Sequence, residues 1–139
     1  MTGRLVDTNV ILRYMTNEPP EQAERAAKLF EAIANGNEHV LLEEVVCAEV
    51  IWTLSSYYRM PRRSIADVLL GLLAEGNIGA LDKEAMRVAL AIFSERNLDF
   101  ADAILAAKAL QSDDSVIYSF DRDFDRISGV IRREPNLVN

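Results

Sequence analysis

The chain has 139 residues, 50% of them hydrophobic and 27% charged, which suits one globular domain over residues 1–139 and excludes a disordered chain. A cytoplasmic protein is expected: no apolar run approaches the ~20 residues of a membrane span, the start MTGRLVDTN does not resemble a secretory signal, and Cys47 has no internal disulfide partner. The net charge of −7 weighs against a nucleic-acid partner, but Arg59, Arg62 and Arg63 cluster, as do Arg122, Arg126, Arg132 and Arg133, so the sum alone decides nothing.

Residues 4–7 read as a short buried strand, and a helix is predicted from Thr8 or Asn9. Pro19-Pro20 opens a second helix. Its apolar stripe is Ala23, Ala26, Ala27, Phe30, Ile33 and Ala34, and Asn35-Gly36-Asn37 ends it. His39 to Leu42 reads as a second buried strand. The pattern is helical from Glu44 to about Tyr58, and Pro61 starts a further helix that ends near Gly76. Ile78 to Leu81 reads as a strand, with Asp82 as the cap of a helix from Lys83 to about Arg96. Asp99 begins a helix through Gln111. The strand SVIYSF (115–120), a helical turn and the strand GVIRR (129–133) complete the chain.

Strands that alternate with helices imply an α/β sandwich with a largely parallel sheet. In such sheets ligands bind beyond the carboxyl ends of the strands. Asp7 and Asp121 each stand at such an end.

The carboxylates admit two readings each. Asp7 can cap the helix that follows it, and one of its oxygens can cap while the other holds a metal ion. Glu49 is expected at the edge of an apolar stripe of Val46, Val50 and Thr53, beside Val45 and Trp52. There a carboxylate is costly unless it is paired, bound to a cation or extended to solvent. Asp99 and Asp102, read alone, fit a capping box better than a ligand pair. Asp121, Asp123 and Asp125 suit a turn, without the glycine and glutamate of an EF-hand loop. Four segments nonetheless offer carboxylates to one predicted sheet edge, and such a cluster needs protons or cations. Cys47 and His39 are the sole residues of their kinds, so oxygen ligands and Mg²⁺ or Mn²⁺ are favoured over zinc. A site of this kind activates water for phosphodiester hydrolysis.

With LVDTNVIL, AEVIWTL, DFADAILAA and VIYSFDRDF in this order, the chain resembles the PIN-domain ribonucleases of the VapC type, the toxins of toxin–antitoxin pairs. The resemblance covers essentially the whole chain. It implies a three-layer α/β sandwich with strand order 3-2-1-4-5. It also implies that Asp7, Glu49, Asp102 and Asp121 are the catalytic, metal-binding quartet, with Thr8, Asn9, Asp99, Ser119 and Asp123 in support. The implied reaction is Mg²⁺- or Mn²⁺-dependent endonucleolysis of RNA by a homodimer that a small antitoxin protein blocks.

Arg13, Arg59, Arg62, Arg63 and Arg122 are candidates for phosphate contacts, although a solvated surface explains any one of them. Trp52, Tyr57 and Tyr58 could stack on bases or serve the core or an interface. The helix SIADVLLGLLAEG likewise suits a partner or the core. The alternative is a catalytically silent module of the same fold that binds RNA or protein. A phosphatase or receiver domain fits less well, because Asp7 begins no D-x-D pair and no phosphate-cradling glycine loop follows.

Overall fold

A computed structural model describes residues 3–136. In chain order the elements are β1 (Arg4–Leu5), α1 (Thr8–Thr16), α2 (Pro20–Ala34), β2 (Val40–Leu41), α3 (Glu44–Ser56), α4 (Arg62–Ala74) and β3 (Ile78–Gly79). Then follow α5 (Lys83–Arg96), α6 (Phe100–Gln111), β4 (Val116–Tyr118), a 3₁₀ turn (Arg122–Arg126) and β5 (Ile131–Arg133). They form two compact units that divide between Lys83 and Glu84. The class is α/β with parallel strands, as the alternation predicts. Among the described residues no helix is long and apolar enough to cross a membrane.

In the first unit β2 lies between β1 and β3, with Arg4 opposite Val40 and Val40 opposite Ile78. The strands are shorter than the expected 4–7, 39–42 and 78–81, because regular pairing gives way early to single hydrogen bonds. Val6 still donates its N–H to the Leu41 carbonyl at 3.4 Å, and Leu42 donates to Gly79 at 2.8 Å. Asp7 is therefore the first residue beyond the sheet's carboxyl edge.

The end of α2 follows its sequence closely. Asn37 donates to the Ala32 carbonyl at 2.9 Å and Gly36 to Ile33 at 3.1 Å, with Gly36 at φ 81°. This is the paired closure that a glycine in the left-handed region allows. The α2 stripe is narrower than expected. Ala23, Ala26, Phe30 and Ile33 are buried, whereas Ala27 and Ala34 are exposed, outside the side that packs on α1. Tyr14 of α1 stacks on Phe30 with ring centroids 4.2 Å apart.

The buried side of α3 is Val46, Cys47, Val50, Ile51 and Leu54, rotated from the expected Val46–Val50–Thr53 line. Glu49 consequently lies on the exposed side, between Val45 and Trp52, which are themselves 66% and 69% exposed. Of the readings open for this carboxylate, extension to solvent is the one observed, with one oxygen also accepting a hydrogen bond from Thr8. On α4, Ile65, Ala66, Leu69 and Leu73 are buried. Each large apolar side chain sequestered in this way contributes ~1.5–3 kcal/mol relative to exposure.

In the second unit β4 and β5 pair in parallel, with Val116 opposite Ile131 and Tyr118 opposite Arg133. Both are shorter than the expected 115–120 and 129–133, although Ser119 still donates to the Arg133 carbonyl at 3.0 Å. Phe100, Ala103, Ile104, Ala106, Ala107 and Ala109 are the buried residues of α6. Leu110 and Gln111, at the end of the helix, are exposed. The neighbour relations 3-2-1 and 4-5 are thus present, each within its own unit.

Candidate active site

The first unit contributes Asp7, Thr8, Asn9 and Glu49. Asp7 holds the N-cap position of α1, and its carbonyl accepts from Val10 at 3.2 Å, but its exposed side chain makes no cap bond. The capping role is vacant, so the carboxylate is available to a ligand. Thr8 is buried, and its Oγ1 donates to Glu49 Oε1 at 3.3 Å. That bond ties the residue beside Asp7 to the middle of α3, and it orients one Glu49 oxygen. Asn9 is exposed one residue further along α1.

The second unit contributes Asp99, Asp102, Ser119, Asp121 and Asp123. Asp99 stands at the N-cap of α6, and its carbonyl accepts from Ala103 at 2.9 Å, yet its side chain does not cap either. The expected capping box is absent. Burial raises the Asp102 carboxyl above its ordinary value, and the charges of Asp121, Asp99 and Asp123 raise it further. Like charges act in this way only when they lie close together.

Asp121 follows β4 and does cap: its Oδ1 accepts the Asp123 N–H at 2.9 Å. Ser119 Oγ accepts the Asp121 N–H, also at 2.9 Å, and so fixes the backbone that carries this carboxylate. One Asp121 oxygen is engaged within the turn. Asp123 also meets Arg126 at 3.5 Å, which dilutes its charge.

Every candidate ligand in both groups offers oxygen, from carboxylates, hydroxyls and the Asn9 carboxamide, a chemistry that fits Mg²⁺ or Mn²⁺. Among the described residues no three His, Cys, Asp or Glu side chains are gathered closely enough to hold a metal ion as they stand. The acids of the second unit are near enough to repel, but not drawn to ligating distance.

The candidate phosphate contacts separate by surroundings. Arg13 donates from Nε to Gln22 Oε1 at 2.8 Å. Arg59 is exposed with φ 55° at the turn after α3, and Arg62 and Arg63 open α4. Arg122 is exposed at the start of the 3₁₀ turn. Arg132 is committed elsewhere, to Asp125 at 3.0 Å and Glu134 at 2.8 Å. Trp52 and Tyr57 are exposed, and Tyr58 donates its hydroxyl to Glu18 at 3.1 Å.

A feature of α2 went unforeseen in the sequence. Gln22 and Arg25 join Asn9 and Arg13 in lining an open cleft of about 380 Å³ between α1 and α2. Their spacing of three on α2 and that of Asn9 and Arg13, four apart on α1, is the available signal, since both pairs share a helix face.

The order of these pieces along the chain is matched by known proteins. The model of the PIN domain family matches residues 4–130. A VapC ribonuclease from Aquifex aeolicus (strain VF5) is 27% identical over 124 residues, which cover 89% of this chain and 91% of that protein. An α/β chain with an acid beyond β1, another on α3, a pair at the start of α6 and a fifth after β4, matched almost from end to end, belongs to the PIN domain family.

Proposed function

We propose that this chain is a Mg²⁺- or Mn²⁺-dependent endoribonuclease and the toxin of a toxin–antitoxin pair, working as one domain with strand order 3-2-1-4-5. The observation that carries the reading is the crowding around Asp102, where Asp121, Asp99 and Asp123 press on a partly buried carboxyl. Such crowding destabilises a structural cap but suits a group whose partner is a cation. The curated relative's name, VapC ribonuclease, supports RNA as the substrate class.

In this reading Asp7, Glu49, Asp102 and Asp121 hold the metal ion or ions. When bound, the metal supplies activation of water and neutralisation of charge on the phosphoryl group. Thr8 orients Glu49 through its 3.3 Å hydrogen bond, and Ser119 fixes the backbone of Asp121. Asp99 and Asp123 add negative charge that favours cation uptake. Asn9 and the arginines Arg13, Arg59, Arg62, Arg63 and Arg122 serve substrate contacts. No protein nucleophile is required.

A small antitoxin protein and a homodimeric, cytoplasmic enzyme complete the proposal. An antitoxin arginine placed among the acids would block them through charge-assisted hydrogen bonds. The test is incubation of purified chain with total cellular RNA, with and without Mg²⁺ or Mn²⁺. Cleavage that requires metal supports the enzyme. RNA binding without cleavage at any metal concentration would favour the silent module.

A further inference from the structure

The cleft between α1 and α2 is locally basic. The whole molecule carries a net charge of −7, yet the cleft is lined by Arg13 and Arg25 with no Asp or Glu among its residues. Asn9 and Gln22 add amide groups, and Val10 and Leu29 add apolar floor. A volume of about 380 Å³ lies in the range of small-ligand sites. Basic groups over an apolar floor suit a sugar–phosphate with its base better than a purely apolar side chain.

Arg13 is built for that purpose. It is half-buried, and Gln22 takes its Nε at 2.8 Å, which orients the guanidinium plane. No carboxylate pairs with it among the described residues. Arg25 pairs with Glu21 at 3.3 Å, and the side chains of this pair are about three-quarters exposed and easily exchanged. Along α1, Arg13 lies six residues beyond Asp7, or ~9 Å at 1.5 Å per residue. A single RNA strand spans that interval within a few nucleotides.

We propose that the α1–α2 cleft is an RNA subsite, in which Arg13 and Arg25 hold a backbone phosphate and Asn9 and Gln22 contact the adjoining nucleotide. The proposal rests on the ribonuclease reading for its substrate class and adds where the strand is gripped. Positioning of this kind contributes affinity and register rather than chemistry.

The test measures binding of a labelled single-stranded oligouridylate to the full chain in chelator, where metal-dependent hydrolysis is silenced, across a series of salt concentrations. Arg13→Ala and Arg25→Glu are compared with the parent, and melting curves establish that each is folded. Arg25 is exposed enough that its variant should fold even if Arg13→Ala does not. Each substitution should weaken binding on the order of tenfold and lower the salt slope by ~1. Parent-like affinity in the folded variants, or no binding by the parent, overturns the proposal. So does unchanged RNA affinity with lost affinity for an antitoxin peptide, which makes the cleft a protein dock. Binding that depends on both arginines in a chain that never cleaves RNA would sink the nuclease reading and leave the subsite standing. Cleavage with unaltered binding in the variants would do the reverse.

Discussion

Thr8 Oγ1 donates to Glu49 Oε1 at 3.3 Å, across the packing of α1 on α3. The threonine is buried and the glutamate exposed, so the bond fixes a solvent-facing carboxylate from its protected side. It follows that Thr8→Val, which keeps the shape and removes the donor, should lower stability by ~1 kcal/mol. Thr8→Ser should lose less. Denaturant midpoints measure this, and RNA cleavage should fall further in the valine variant than in the serine variant. Equal cleavage by both would show that the orientation of Glu49 does not matter to the reaction.

The crowding at Asp102 has a stability consequence of definite sign. Its folded value is raised above the ordinary 3.8, so the native state holds this proton more tightly than the unfolded chain. The associated stability is full below pH 3.8 and is lost as pH rises through the raised value. At neutral pH the ionised group is therefore a net cost. Asp102→Asn should stabilise the metal-free protein by roughly 0.2–1 kcal/mol, the range of solvent-screened pairs. It should also shrink the stabilisation gained from Mg²⁺ or Mn²⁺. Thermal melts in chelator and across a metal titration read both effects. A variant that melts lower in chelator and gains as much from metal as the parent would return Asp102 to a capping role.

Cys47 is fully buried on α3, and burial, with a contribution from the Glu44 charge, pushes its thiol up to about 12. A neutral, inaccessible thiol should not react with a disulfide reagent in the native protein at pH 8, and should react at once in denaturant. The neutral form also favours the fold: its contribution is full below pH 9.0 and is lost as pH rises toward about 12. Rapid labelling of the folded chain would mean that α3 opens locally.

Local punctuation made much of the fold legible. Pro20 at the start of α2 and Gly36 just past its end bracket that helix by conformational preference alone, and both bounds are met. The orientation of α3 was not legible in the same way. EVVCAEVIWTLSS is apolar on more than one side, so composition does not say which face is covered, and packing buries Cys47, Ile51 and Leu54 while leaving Trp52 out. The acids were visible as residues, but not their roles. Asp7, Asp99 and Asp121 all occupy cap positions, and Asp121 alone of the three bonds a backbone N–H in that role. The Arg13–Gln22–Arg25 cleft depends on how α1 and α2 meet, a tertiary fact that neither helix carries by itself.

In cells, expression of the chain alone should slow growth, and co-expression of its cognate antitoxin should restore it. Asp102→Asn should abolish the arrest while leaving the protein abundant. Undiminished arrest in that variant would separate the growth effect from RNA cleavage.

The most direct measurement is RNA cleavage by purified parent and by folded Asp7→Asn, in chelator and with Mg²⁺ or Mn²⁺. Asp7 stands first beyond the β1 edge with its side chain uncommitted to the helix it precedes, so its substitution disturbs the fold little. Comparison with this variant also controls for contaminating nucleases. Cleavage should appear only with metal and fall on the order of 10²-fold or more in Asp7→Asn, through lost stabilisation of transition-state charge. Parent-like cleavage by folded Asp7→Asn, or undiminished cleavage in chelator, would contradict the account.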